Sequence, residues 1–168
     1  DYKSHFIEKL HILKGEDKQD YVNLVADVLI SASKQLENNS KVILVIGRYG
    51  DVSIEPIILN LADKLSKVGI NLCGYKMFNK GDHESVVVFN KGESQQVFIP
   101  TFTELQVYDK VGFFGKINNE ILDWAINNLT VEGDLIVDPF AGAGNTLKRA
   151  NQLNRRGLGV ELNPKYID

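Results

Sequence analysis

Apolar positions recur at helical spacing over residues 18–38, where Tyr21, Leu24, Val25, Val28, Leu29, Ala32 and Leu36 share one face and Asp17 stands ready as a cap. The run KVILVIG (41–47) is short and β-branched and lies between turn residues, which predicts a strand buried on both faces. Arg48–Asp51 is a loop, and Pro56 suits the first position of a helix carrying Ile57, Ile58, Leu61 and Leu65. Two further apolar runs, 70–78 and 85–91, flank Asn79–Asp82 and predict an antiparallel hairpin with a loop longer than two residues. Residues 91–116 hold no sustained period and read as a connection with one short strand at 96–99.

The last third is the most regular. A helix over 118–130 turns Ile121, Trp124, Ala125 and Leu129 inward, and Gly133 leads into a strand, DLIVDPF (134–140). The turn AGAGN then opens a helix carrying Leu147, Ala150 and Leu153, GLGVEL (157–162) is the next strand, and Asn163-Pro164 opens another helix. Strand, helix and strand joined by short connections imply parallel strands and a right-handed crossover. The fold class is therefore α/β, a doubly wound, mostly parallel sheet with an antiparallel edge hairpin.

Composition narrows the picture. A chain of 168 residues, 43% hydrophobic and 24% charged, suits one folded domain and excludes disordered and collagen-like classes. No apolar run approaches the ~18 residues of a membrane span, and nothing at the start reads as a signal peptide, so a cytoplasmic setting is expected. The single cysteine, Cys73, rules out an internal disulfide and reads as a small buried hydrophobe. His5, His11 and His83 lie in polar stretches without ligand spacing, so no metal site is expected.

The net charge of −3 lacks the basic excess by which free-standing nucleic-acid binders neutralise phosphates. Either the chain does not bind nucleic acid, or it is part of a protein that does. The only methionine is Met77 and the chain stops inside an expected helix, which favours the second reading. Lys148, Arg149, Arg155 and Arg156 read as a solvated helix face rather than as a phosphate contact.

Candidate chemistry concentrates at Asp138–Thr146. Gly142 and Gly144 allow a tight bend and the close approach of a ligand to the backbone. A Walker phosphate loop fails, because Asn145 stands where its lysine must be. The dinucleotide pattern G-x-G-x-x-G fails at its third glycine, where Leu147 stands, although Glu161 is well placed for a ribose. Asp138 discriminates further. A carboxylate facing the turn repels a pyrophosphate and attracts a ligand bearing ammonium and sulfonium groups, such as S-adenosylmethionine. The plainer roles are a turn cap for Asp138, a solvated strand-end acid for Glu161, and core packing for Phe140 and Trp124.

The stretches DLIVDPFAGAGNTLKRA (134–150) and RRGLGVELNPKYI (155–167) resemble the amino-methylating DNA methyltransferases, whose usual patterns are DPFAGSGTT and GIELNPEY. These enzymes transfer the S-adenosylmethionine methyl group to the exocyclic amine of cytosine or adenine. The resemblance implies a Rossmann-like methyltransferase fold in the permuted order, with the catalytic motif before the cofactor motif. It makes Asp138, Phe140, Ala141, Gly142, Gly144, Asn145 and Glu161 cofactor contacts, with Asn145 in place of a common threonine. The family's PFPEEL-like segment is here Lys116–Ile121, without the prolines, and Ile117 is its expected cofactor contact. One domain is implied, with 1–91 following the catalytic motif, 92–117 connecting, and 118–168 binding cofactor.

One departure is large. Family members carry a tetrad of Asp, Ser or Asn, then Pro-Pro, then an aromatic, which holds the target amine and stacks on the flipped base. Pro56, Pro100, Pro139 and Pro164 are the only prolines, and no two are adjacent. No catalytic residue is therefore assigned within the chain. The opening DYKSHFIEKLHIL resembles the segment following a Ser-Pro-Pro-aromatic tetrad, so the tetrad and one central strand are expected upstream of Asp1 or on a second chain. That strand would sit between 134–138 and 41–46, which otherwise have open edges. The expected partner is duplex DNA with a flipped base. The competing readings are an RNA methyltransferase, a cofactor-binding subunit without its own tetrad, and a nicotinamide-binding domain.

Overall fold

The computed structural model describes residues 2–11, 18–47, 54–80, 82–93, 102–104 and 117–166. The elements are β1 (Ser4–His11), α1 (Lys18–Ser33), β2 (Lys41–Gly47), α2 (Glu55–Ser66), β3 (Ile70–Lys80), β4 (Asp82–Lys91), β5 (Phe102–Glu104), α3 (Asn119–Leu129), β6 (Leu135–Asp138), α4 (Asn145–Gln152), β7 (Arg156–Gly159) and a 3-10 turn, Pro164–Tyr166. The seven strands form one sheet in the order β5-β3-β4-β2-β1-β6-β7. β2, β1, β6 and β7 run parallel, and β4 pairs antiparallel with both β2 and β3.

Alternation across the pleat builds two cores. Phe6, Val42, Leu44, Ile46, Val87 and Phe89 face α1 and α2, whereas Ile7, Ile43, Val45, Val86, Val88 and Ile136 face α3 and α4. β2 is buried from Val42 to Ile46, as its unbroken β-branched run predicts. α2 takes Pro56 into its first turn, where the missing N–H costs nothing, and buries Ile57, Ile58, Leu61 and Leu65. Cys73 is a small buried group whose thiol donates to the Val88 carbonyl.

The central slot expected to lack a strand is filled by β1. Phe6 lies opposite Val42 of β2 and Val137 of β6, so β1 closes the gap between those two strands. Its sequence hides this, because His5 is a polar residue in a core position. His5 is 3% exposed, contrary to the reading that placed it in an exposed polar stretch. The Lys41 N–H donates to His5 Nδ1 at 2.9 Å, which leaves the ring proton on Nε2 to donate to Asp134 Oδ2 at 3.0 Å. Asp134 also accepts from the backbone N–H of Lys3 and of Val131, so the buried polar group is satisfied on every side.

Smaller differences follow from local geometry. α1 stops at Ser33 rather than at 38, and Leu24 is exposed, while Val22 and Ala26 take the inward positions. β6 ends at Asp138 and β7 at Gly159, both short of the apolar runs that announced them. The expected Asp17 cap, the loop at 48–51 and the strand at 96–99 lie outside the described residues, and the short strand that is described, β5, pairs parallel with β3. Among the described residues, no helix is long and apolar enough to cross a membrane, and no cluster of metal-ligating side chains is found.

Candidate cofactor site

The site lies where β6 and β7 end side by side. Asp138 closes β6 and is 95% buried, and its Oδ1 accepts the Phe140 N–H at 3.1 Å. Asp138 thus caps the turn as well as placing a carboxylate at the strand end. The Val160 N–H reaches the Asp138 carbonyl and the Ala141 N–H reaches the Val160 carbonyl, which extends the pairing of the two strands into the turn. Gly142 (φ +51°) and Gly144 (φ +71°) hold left-handed conformations that side chains disfavour. A Cβ on Gly142 would meet nothing within 4 Å, so the backbone there borders open space.

Glu161 fastens this turn. Its Oε2 accepts the Gly142 N–H at 2.7 Å and its Oε1 the Asn163 N–H at 2.7 Å. The Asn163 N–H foremost, and then that of Gly142, hold its carboxyl below the usual glutamate range, so it is ionised at neutral pH. Glu161 is therefore more than a solvated strand-end acid. The partner on its other side, Asn163, was not singled out from sequence; the signal was Pro164, which forces a turn directly after it.

Phe140 is 44% exposed, so its ring is available to a ligand and is not core packing. Asn145 begins α4, and its side-chain Nδ2 donates to the Ile117 carbonyl at 3.2 Å, bringing the segment ahead of α3 to the turn. Ile117 is buried against the α3 and α4 core. Asp138, Phe140, Ala141, Gly142, Gly144, Asn145, Glu161 and Ile117 are thus gathered at one end of two adjacent strands.

The third-glycine test also has a structural answer. In the dinucleotide pattern that glycine lets helix and strand approach closely. Here the small residues are on the strand. A Cβ on Gly159 would come within 2.5 Å of Leu147 and 2.6 Å of Ala141, and one on Gly157 within 3.0 Å of Leu147. Leu147 occupies the space that those two glycines leave.

One sequence expectation about charge needs revision. Arg149 makes a two-pronged ion pair with Asp123 of α3, and Arg155 is buried, donating to the carbonyls of Ile126, Thr130 and Leu153. Lys148 and Arg156 are exposed, as the solvated reading expects, and Arg156 also donates to the Gly133 carbonyl and lies over the Tyr2 ring. Trp124 packs against the core, as its inward position on α3 predicts: it meets Phe78 edge-on at 5.6 Å, with the buried Lys76 ammonium 5.1 Å from its ring centre.

Residues 90–168 match the model of the DNA methylase family of N6 and N4 methyltransferases. The matched stretch is just under half of the chain and holds the glycine turn and both carboxylates of the site. It is 43% identical over 37 residues to the type II methyltransferase M.HpaI of Haemophilus parainfluenzae, covering 22% of this chain and 12% of that protein. It is 40% identical over 50 residues to the orphan methyltransferase M.BamHII of Bacillus amyloliquefaciens, covering 30% and 17%. The matched stretches are thus under a fifth of those relatives. The fold resembles a putative DNA modification methylase of Thermus thermophilus crystallised with S-adenosyl-L-methionine (TM-score 0.74, 18% identity, covering 98% of this chain and 82% of that one). It also resembles the cytosine-N4-specific PvuII DNA methyltransferase (TM-score 0.72, 15% identity, 98% and 76%). The methyltransferase fold expected from sequence is borne out, with β1 in the slot thought empty.

Proposed function

We propose that this chain is the cofactor-binding part of an S-adenosylmethionine-dependent DNA methyltransferase acting on the exocyclic amine of cytosine or adenine. The observation that carries the reading is the pairing of two carboxylates, Asp138 and Glu161, around a glycine turn that borders open space at Gly142. The donor set fits the ligand. Asp138 stands at a buried strand end, where attraction for a cation is less screened than in water. Glu161 is ionised and held by two N–H groups, and a carboxylate with two oxygens retains acceptor capacity for a pair of ribose hydroxyls. Gly142 and Gly144 keep side chains out of the space, and Phe140, Ala141, Asn145 and Ile117 are the further contacts in this reading.

When bound, S-adenosylmethionine supplies an electrophilic methyl group on a sulfonium. The work of these residues is to bind and orient it, since transfer to a weakly nucleophilic base amine depends on positioning. The hydrogen-bond acceptors for that amine and the aromatic that stacks on the base come, in this reading, from a tetrad outside these 168 residues, on the same polypeptide or on a partner subunit. Duplex DNA is the substrate partner, the domain is single, and the setting is the prokaryotic cytoplasm.

Calorimetric titration with S-adenosylhomocysteine and with NAD tests the cofactor reading. S-adenosylhomocysteine should bind and NAD should not; the reverse would assign the turn to a dinucleotide. Methylation of duplex DNA rather than structured RNA, by the polypeptide that carries the tetrad, tests the substrate.

A further inference from the structure

Two of the places where this chain departs from the cofactor motifs of the family it resembles are bonded to each other. Asn145 stands in place of the common threonine, and Ile117 lies in the segment that lacks the usual prolines. The Asn145 amide donates to the Ile117 carbonyl across 28 positions of sequence. From these contacts we infer that Asn145 is a positioning residue: it acts on the cofactor site through Ile117, not by touching the ligand.

The surrounding contacts give this tether its leverage. Ile117 is followed directly by Asn118, the buried cap of α3, whose Oδ1 accepts the Glu120 N–H at 2.7 Å. Fixing the Ile117 carbonyl therefore fixes where α3 begins. At its far side α3 is held to α4 by the Asp123–Arg149 pair, and at its end by Arg155 on the carbonyls of Ile126 and Thr130. Without Asn145, the segment ahead of α3 loses its described link to the glycine turn. Prolines stiffen a segment by fixing φ, whereas here a side-chain amide from the neighbouring helix fixes the same stretch from outside. The bond needs a donor at this position, because the acceptor is a carbonyl oxygen, and the Asn145 amide supplies it.

This inference rests on the cofactor reading above, and a double-mutant cycle separates the two. S-adenosylhomocysteine affinity is measured by calorimetry for the unsubstituted chain, Asn145→Ala, Ile117→Ala and the double variant, with thermal melts confirming that each is folded. Asn145→Ala should weaken binding about three- to tenfold, the range for one net hydrogen bond. The double variant should bind within about twofold of the weaker single variant, because both changes act through one segment. Asn145→Asp keeps the size and the helix-start preference without the donor, and should also bind more weakly, which covers the case in which alanine does not fold. Multiplying losses in the double variant would mean an independent ligand contact and would overturn the inference, as would unchanged affinity in Asn145→Ala or Asn145→Asp. Absence of binding by the unsubstituted chain would instead overturn the cofactor reading, and this inference with it.

Discussion

The two ends of the central strands treat buried polar groups in opposite ways. At the amino ends of β1, β2 and β6, His5, Asp134 and the Lys41, Lys3 and Val131 N–H groups satisfy one another completely. At the carboxyl ends of β6 and β7, Asp138 and Glu161 also accept backbone N–H groups, yet they do so beside open space at Gly142. The first arrangement locks three strands together. The second uses the same carboxylate–N–H chemistry to hold a loop open. The first network is enclosed by protein, whereas the second borders open space, as the proposed cofactor site requires.

That contrast is most severely tested by Gly142→Val. A β-branched side chain at φ +51° is strained and enters the open space, so S-adenosylhomocysteine binding should fall by about two orders of magnitude with circular dichroism near normal. Near-normal binding would remove the argument for close ligand approach. At the other end, His5→Ala leaves the Lys41 N–H unpaired in the core and takes from Asp134 one of its three hydrogen bonds. Chemical denaturation should show a loss of about 2–4 kcal/mol, with cofactor affinity little changed once the protein is folded. Asp138→Ala should weaken S-adenosylmethionine binding by about 1–3 kcal/mol, read by titration. Unchanged affinity would reduce this carboxylate to a turn cap.

The smallest effect is on pH. Burial lowers the His5 pKa despite the raising influence of Asp134, and Lys41 and Lys3 lower it further. Burial alone would raise Asp134, but the Val131 and Lys3 N–H groups and His5 bring it below its ordinary value. For both groups the depressed folded value means that the unfolded chain binds protons more readily. Stability is therefore full above the unfolded histidine value near 6.5, declines below it, and declines again below about 4 as Asp134 protonates. Between pH 7.5 and 5.5 the histidine contributes a loss of at most about 1.4 kcal/mol per pH unit below 6.5, which His5→Ala should remove.

Sequence pattern captured what depends on unbroken apolar runs or on punctuation. β2, the β3–β4 pair and α2 stand where Val42–Ile46, the two flanking runs and Pro56 put them, although β3 and β4 run on to Lys80 and Asp82, through the longer loop expected between them. The glycine turn was legible because its chemistry is local: Asp138, Gly142, Gly144 and Glu161 need only two neighbouring strand ends. β1 was not, because its central burial depends on Asp134, which is 129 positions from His5 in sequence. Arg155 was misread for the same reason, since two of the three carbonyls it serves lie at the end of a helix more than twenty residues earlier. Buried polar residues look like surface until their distant partners are known.

The seating of Leu147 against Gly157 and Gly159 also bears on any redesign of ligand preference. Putting glycine at 147 to imitate a dinucleotide turn would complete the motif on paper and leave a hole behind it, because the strand has no side chains to refill the gap. Three positions would have to change together, and each single step would be worse than the start. The choice of small molecule is thus coupled to how the helix rests on its strand.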